Sequence, residues 1–395
     1  MRIALIYPGC HRRGGIERVL LECANFLSDQ GHEIHLIAAD WDEALLRPAI
    51  VRHRVPLNFR FPAAMALEFA VRSSAALRAM KPAPDVVGAF GVQCPSGVLW
   101  VPSVHRTWIN ISRQHRGVAG RLKQLCNPFH SVILALERSY FTGRKYKKLL
   151  ALTYDVRTDL ISLYGVPAQD IEILPNGFLE SEFNIEKRFA RRSEVRCKLG
   201  YTESDRVVIF VANELQRKGF FPLIEAVKSL DNPRVKILAV GRLDRAACKK
   251  ELDRLDLSKR VHFTGPTSDA ASYYAAADVF ALPTQYEAWG LVIVEAMACG
   301  LPVLTSRLAG AAIAVQDGKT GRLLDDPRNV SEITAKLRPL LDGNHASAQE
   351  IAASVEQYYW SKIFTRYERA LAEYATDSIS ARSMNRAADA AASTV

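Results

Sequence analysis

Short apolar runs alternate with stretches that repeat apolar residues every three or four positions along most of this chain. Arg2–Tyr7 has the composition of a buried strand, and Ile16–Gln30 places Val19, Leu20, Cys23, Phe26 and Leu27 on one helical face before Gly31 ends it. Glu33–Ala39 is the next predicted strand, so the chain opens with a βαβ unit and a parallel sheet. Beyond a less regular stretch, strands are predicted at Asp85–Phe90, Val98–Val104, Lys148–Thr153 and Ile171–Leu174, with helices at Ser131–Tyr140 and Asp155–Tyr164. Pro175-Asn176-Gly177 is a turn signal, and the polar run from Glu180 to Arg196 after it has few apolar residues, which predicts a linker.

A second α/β series follows. Its strands are predicted at Val207–Ala212, Val235–Gly241, Val261–Thr264, Val279–Pro283, Pro302–Ser306 and Gly321–Leu324. Its helices are predicted at Phe220–Leu230, Arg245–Leu255, Ser268–Ala277, Gly290–Cys299 and Asn329–Leu341. Trp360, Ile363, Phe364, Tyr367, Leu371 and Tyr374 then form one face of an amphipathic helix, and from Thr376 the residues are small and polar, which predicts disorder. The domain plan is therefore 1–178, a linker over 179–205, a second domain over 206–355, a helix over 356–375 and a tail over 376–395.

The stretch from Tyr286 to Gly300, Y-E-A-W-G-L-V-I-V-E-A-M-A-C-G, carries the most chemistry. Glu287 falls in the loop after a strand and Glu295 on the next helix, which puts both at the carboxyl edge of a parallel sheet, where open α/β folds bind ligands. Free amides around Trp289 to Val292 make a helix N-terminus suited to a phosphate. Carboxylates beside a phosphate suit a ligand bearing hydroxyls as well. Arg217 and Lys218 stand between the first strand and first helix of the same sheet and can neutralise a diphosphate without metal. Each feature alone has an ordinary reading: a buried helix with incidental glutamates, or a surface R-K-G loop. Gly14-Gly15 after the first strand lets backbone approach a ligand or simply makes a turn. His105, at a strand end, is structural or a site residue.

Composition narrows the function classes. At 395 residues and 49 % hydrophobic content the chain supports two or three domains. No apolar run reaches the roughly 18 residues of a spanning helix, and Met1 leads straight into the first strand, so a cytoplasmic location is expected. Seven scattered cysteines without C-x-x-C spacing argue for free thiols and against zinc. Asp40-Trp41-Asp42 has a D-x-D form but reads as a solvated turn, and no metal or other cofactor is expected. The net charge is +10, and between Ser103 and Leu150 ten Lys or Arg face one acid, Glu137. Interleaved with Trp108, Ile109, Ile111, Val118, Leu122 and Leu125, this basic segment at 106–148 suits an anionic membrane surface or an ordinary solvated face. No nucleic-acid-binding module is recognisable, so no nucleic-acid partner is expected.

Taken together, Gly14-Gly15, L-P-N-G (174–177), R-K-G (217–219), V-H-F-T-G (261–265), A-L-P (281–283) and E-A-W-G-L-V-I-V-E-A-M-A-C-G-L-P-V (287–303) resemble the family 4 retaining nucleotide-sugar glycosyltransferases. The resemblance covers about residues 1 to 375 and implies the α/β GT-B fold, two Rossmann-like domains facing across a cleft, with the last helix crossing back to the first. Within the family, residues 136–153 followed by I-L-P-N-G are similar to the lipopolysaccharide-core glucosyltransferases. The resemblance implies that Glu295 holds the nucleotide ribose, Glu287 the transferred sugar, and Arg217 and Lys218 the diphosphate, with amides at Ala288, Trp289, Gly290 and Leu291 assisting. It places Gly14 and Gly15 near donor and acceptor, His105 near the transferred sugar, and the base by Arg242 and the Gly265 turn. Where many members have Gly-Arg, this chain has Ala212-Asn213-Glu214, and alanines 311, 312 and 314 replace an expected glycine and glutamate.

The implied activity is retaining transfer from a nucleoside diphosphate sugar, of UDP-glucose type, to a lipopolysaccharide-core or other membrane-linked glycan. The implied location is peripheral, on the inner face of the cytoplasmic membrane. A GT-B nucleotide-sugar epimerase and a transferase with a soluble acceptor are the alternatives.

Overall fold

The computed structural model describes residues 1–375 apart from 13, 96, 115–117 and 268; the tail at 376–395 lies outside the described residues. Two compact units are present, the first comprising Met1–Asn176 and the described residues from Ser361, the second Gly177–Trp360.

The first unit holds a seven-stranded sheet, laid out in space as Val51–Arg54, Glu33–Ala38, Arg2–Ile6, Val86–Ala89, Val98–Val101, Lys148–Ala151 and Ile171–Ile173. All pairings are parallel, with Ile3 opposite Ile34 on one side and Val86 on the other. Helices cover both faces of such a sheet, so its inner strands are continuous apolar runs: Ile3, Ala4, Leu5 and Ile6 are wholly buried. The order reverses beside the first strand, and the loop leaving that strand leads to the helix Gly15–Asp29.

The second unit repeats the plan with six parallel strands, in the spatial order Val261–Phe263, Val235–Val240, Arg206–Val211, Val279–Leu282, Val303–Ser306 and Gly321–Leu324. Its order also reverses beside its first strand, between Arg206–Val211 and Val279–Leu282. The loop after the first of these carries Arg217 and Lys218, and the loop after the second carries Glu287.

Four elements depart from expectation. Val51–Arg54 is a strand that pairs on one side only, and the irregular stretch after it contains an 18-residue helix, Pro62–Ala79. Within the expected linker 179–205 lies the helix Ile185–Lys198, which belongs to the second unit. Three of its arginines, one turn apart, point inward and donate to backbone carbonyls: Arg188 to Cys299 and Ala277, Arg192 to Ala277, and Arg196 to Ala276 and Asp205. Asp278 accepts from Arg192 at 2.5 Å and from the Val207 amide at 2.7 Å. Burial, then the neighbouring Arg192, pushes the Arg188 guanidinium down to about 10. The expected helix at Ser268–Ala277 is a single turn, Ala270–Tyr274.

The last described helix, residues 360–375, packs its apolar face into the first unit. Phe364 meets Phe26 at 5.6 Å between ring centroids, and Tyr367 meets Trp100 at 5.2 Å and Phe90 at 5.9 Å. Arg366 donates to the Ile173 carbonyl at 2.5 Å, and His32 contacts Glu368 at 2.7 Å. Replacing the buried Phe364 by alanine removes a ring from this aromatic cluster and should cost about 3–5 kcal/mol. Urea unfolding of F364A followed by hydrogen exchange should show the first unit opening at lower denaturant while amides of Gly177–Trp360 keep their protection.

Candidate functional site

At the switch point of the second sheet two loops are joined by their backbones. The Arg217 carbonyl accepts from the Gln285 amide at 2.9 Å and from the Thr284 hydroxyl at 3.3 Å, and Arg217 Nη1 donates to the Tyr286 carbonyl at 2.6 Å. Gly219 makes this possible. Its φ of +81° lies in the left-handed region, and a Cβ there would stand 2.0 Å from the Pro283 carbonyl oxygen. The loop after the next strand joins in, since the Glu287 amide donates to Leu308 and the Gly310 amide to Glu287.

These bonds bring the expected charges together. Lys218 Nζ is in contact with Glu287 Oε2, and Arg217 Nη1 lies 3.7 Å from the same oxygen. Glu214, part of the departure from the family pattern, holds Arg217 Nε at 2.7 Å and so orients the guanidinium. Burial, followed by the Arg217 charge, pushes the Lys218 ammonium down to about 7. The Glu287 carboxylate it touches acts in the opposite sense, favouring the charged form.

Glu287 is half-buried in the loop, and the helix Leu291–Ala298 begins four residues beyond it, after Gly290 at φ +94°. The first turn of that helix has amides without intrahelical partners, so partial positive charge adds to the two side-chain cations. Glu295, just over one turn in, is only 2 % exposed, with the Tyr274 hydroxyl 3.5 Å from its Oε2. The Trp289 indole is turned inward against Tyr358 at 5.6 Å, so the expected role of this residue rests on its backbone amide alone. Two strands away, Asn213 Oδ1 accepts from the Arg242 amide at 3.0 Å, and the Gly265 carbonyl accepts from Gly241. Asn213, Arg242 and Gly265 thus share one corner of this sheet edge. Sequence reasoning missed Asn213 and Glu214 as organisers, although both lay in the noted departure.

In the first unit Gly14 precedes the helix Gly15–Asp29 with extended backbone, and the space around Gly15 is open. His105, expected at the end of a strand, instead begins the helix His105–Gln114, four residues past the end of the strand Val98–Val101. Its ring stacks on Trp108 at 5.5 Å and lies 3.1 Å from His130 Nδ1 through Nε2. Burial, then the His130 ring, pushes the His105 imidazole down to about 4, so it is neutral at ordinary pH. Its position depends on Glu137, whose buried carboxylate accepts from the His105 amide at 2.5 Å, the Arg106 amide at 3.2 Å and the Tyr164 hydroxyl at 2.8 Å. The sequence offered a clue, because Glu137 is the only acid in the basic segment. Asp42 of the D-x-D run caps the short turn Glu43–Leu45 by accepting from the Ala44 amide.

The family described as Glycosyltransferase Family 4 matches residues 13–178, and that described as Glycosyl transferases group 1 matches residues 191–357. The chain belongs to the family 4 glycosyltransferases. Among similar proteins is the lipopolysaccharide glucosyltransferase WaaG of Escherichia coli K12, 26 % identical over 331 residues, which are 83 % of this chain and 86 % of WaaG. A D-inositol 3-phosphate glycosyltransferase of Mycobacterium tuberculosis (strain CDC 1551 / Oshkosh) is 30 % identical over 243 residues, 58 % of this chain and 49 % of that protein. The crystal structure of WaaG matches 95 % of this glycosyltransferase and 99 % of its own chain, with a TM-score of 0.72 at 23 % identity. Anabaena Alr3699/HepE, solved with UDP and glucose, matches 94 % of this chain and all of its own, with a TM-score of 0.69 at 20 % identity. Both are likenesses of fold, and the fold is GT-B.

The Glu137 arrangement is testable in this glycosyltransferase. Glu137→Gln puts an amide NH2 where two backbone donors and a hydroxyl need acceptors, and should cost about 1–3 kcal/mol. Titration of the histidine rings by NMR should show the His105 pKa rising from about 4 toward its ordinary value as the ring loosens and hydrates.

Proposed function

We propose that this glycosyltransferase moves a sugar from a nucleoside diphosphate sugar, of UDP-glucose type, to a lipopolysaccharide-core or other membrane-linked glycan, with retention at the anomeric carbon. The observation that carries the reading is the convergence of Lys218 and Arg217 on Glu287 beside a helix N-terminus at the sheet's switch point. Two cations and a row of amides suit a diphosphate leaving group, and a carboxylate among them suits sugar hydroxyls. In this reading Glu295 takes the ribose, the corner of Asn213, Arg242 and Gly265 takes the base, and the amides at Ala288, Trp289, Gly290 and Leu291 assist the diphosphate. In the first unit the Gly14-Gly15 loop lets backbone approach a ligand, and neutral His105 offers a hydrogen bond to a sugar hydroxyl without adding charge.

The bond between the anomeric carbon and the diphosphate oxygen breaks as the acceptor oxygen arrives on the same face. The electron pair leaves with the diphosphate, whose oxygen takes the acceptor's proton. Arg217 and Lys218 stabilise the charge that develops, so the reaction needs no metal in this account. The UDP and glucose bound by HepE and the glucosyltransferase activity named for WaaG support the choice of donor, and WaaG's lipopolysaccharide supports the choice of acceptor. Among the described residues no helix is long and apolar enough to cross a membrane. The exposed cations Arg106, Arg121, Lys123, Arg138, Arg144, Lys145 and Lys147 support peripheral attachment to the anionic inner face of the cytoplasmic membrane.

Lys218→Ala and Glu295→Ala should each weaken UDP-glucose binding by about tenfold or more in calorimetry, a loss of about 1.4 kcal/mol or greater. Unchanged affinity in both variants would mean that the donor binds elsewhere.

The pH dependence follows from Lys218. Burial holds its folded pKa near 7, and a bound diphosphate raises it again. Affinity is therefore full below about pH 7 and declines as pH rises through that value, with a proton taken up on binding. Calorimetry between about pH 6 and pH 9 should show this decline in the wild type and a flatter profile in Lys218→Arg, whose guanidinium stays charged.

A further inference from the structure

The helix Pro62–Ala79 is built inside out. Its buried positions are Glu68, Phe69 and Ser73, while Leu67 and Val71 face outward at 46 % and 68 % exposure. Ala75 continues the same exposed stripe. At its head Phe59 and Phe61 are 56 % and 77 % exposed on either side of the exposed Arg60. A large aromatic and aliphatic patch left in solvent marks an interaction surface.

The charges on this patch all have one sign. Arg60 and Arg78 are exposed, and the helix's only acid, Glu68, is turned inward, accepting from the Asn58 and Phe59 amides at 2.9 and 3.1 Å and from Arg72 at 3.0 Å. The helix Val118–Leu125, which packs on the same helix Pro128–Thr142 as Pro62–Ala79 does, repeats the chemistry with Leu122 and Leu125 exposed beside Arg121 and Lys123. Between Pro62–Ala79 and Pro128–Thr142 lies a cleft of about 550 Å³ with Ala70, Leu77 and Leu136 on its walls and Arg78 and Lys145 among its lining. Apolar side chains interleaved with cations, with no exposed acid, match the layer of a bilayer where acyl chains meet anionic headgroups. A twofold contact between copies of this chain would set arginines against arginines, which disfavours that occupant.

We propose that the outward face of Pro62–Ala79, with Phe59 and Phe61 at its head, inserts into the headgroup layer of an anionic bilayer. The loop bearing Phe59 and Phe61 follows the strand Val51–Arg54, so it leaves the same sheet edge as the Gly14 loop and His105. Lipid docking here therefore brings that edge to the membrane surface, where a lipid-linked acceptor resides. This inference rests on the membrane-linked acceptor proposed above and adds an apolar anchor to the electrostatic one.

The two contributions separate by salt, because screening weakens charge attraction and leaves apolar insertion intact. The full chain and the variant F59S/F61S/L67S/V71S are floated with phosphatidylcholine vesicles containing roughly 30 % phosphatidylglycerol, at low salt and at about 0.5 M salt. The wild type should float in both conditions and the variant at low salt only, with thermal melting unchanged because all four positions are exposed. F61S and V71S alone should each show a smaller loss at high salt, so the result does not depend on the quadruple variant folding. Equal flotation of wild type and variant at both salts, or release of the wild type itself at high salt, overturns the apolar anchor while leaving the basic segment's role standing. No flotation of the wild type on anionic vesicles overturns both. Sedimentation showing a wild-type dimer that the variant abolishes, with flotation unchanged, assigns the face to a second copy and also overturns the proposal.

Discussion

The chemistry of the second unit hangs on a single close passage of backbone, Gly219 against the carbonyl of Pro283. No side chain fits there, and the left-handed φ suits glycine alone among common residues without strain. Once the two loops touch, the Arg217 carbonyl is occupied by Gln285 and Thr284, and the Arg217 guanidinium is drawn to the Tyr286 carbonyl. The Thr284 carbonyl is held in turn by the Ser306 hydroxyl at 2.5 Å, which ties in the following strand. Lys218 has little freedom left and reaches Glu287. The charge cluster is therefore a product of main-chain hydrogen bonds, and the side chains follow a geometry already set beneath them.

The same logic explains what could be read from residues alone. Parallel strands covered on both faces must be apolar throughout, so V-F-A-L and V-L-T-S announced themselves, and a loop between them had to lie at a sheet edge. Val51–Arg54 escaped because V-R-H-R pairs on one side only and leaves two of its four side chains exposed. The helix Ile185–Lys198 escaped because its inward face is guanidinium. Arg188 and Arg196 satisfy backbone carbonyls at the ends of neighbouring elements, including Cys299 just past the helix that bears Glu295. Burial by hydrogen bonding leaves no apolar period to detect. Trp289 shows the limit from the other side: the sequence pointed to its backbone amide, and it is the structure that shows the indole filling the interior next to Tyr358.

Two glutamates in the first unit, of which only Glu137 stood out in sequence, perform one task twice. Glu68, inside the helix Pro62–Ala79, accepts two consecutive amides, Asn58 and Phe59; Glu137, inside Pro128–Thr142, accepts two consecutive amides, His105 and Arg106. In each case a buried carboxylate fixes how an incoming segment meets its helix. A buried carboxylate with several donors is stabilised as the anion, while burial itself raises its proton affinity, and at Glu137 burial prevails.

That arrangement has a consequence for the surface. Acids used inside cannot offset cations outside, so a segment with one glutamate and ten basic residues shows solvent only its positive charge. The excess of Lys and Arg is then more than composition. It is an outward field made by sending Glu137 inward, and it falls on a segment that also exposes Leu122 and Leu125, while Pro62–Ala79, packed on the same helix Pro128–Thr142, exposes Leu67 and Val71. Apolar contact fixes depth at an interface and charge fixes which interface is chosen. A fold that hides its acids and displays both other classes of side chain on neighbouring helices supplies both requirements of the proposed membrane contact from the same few residues.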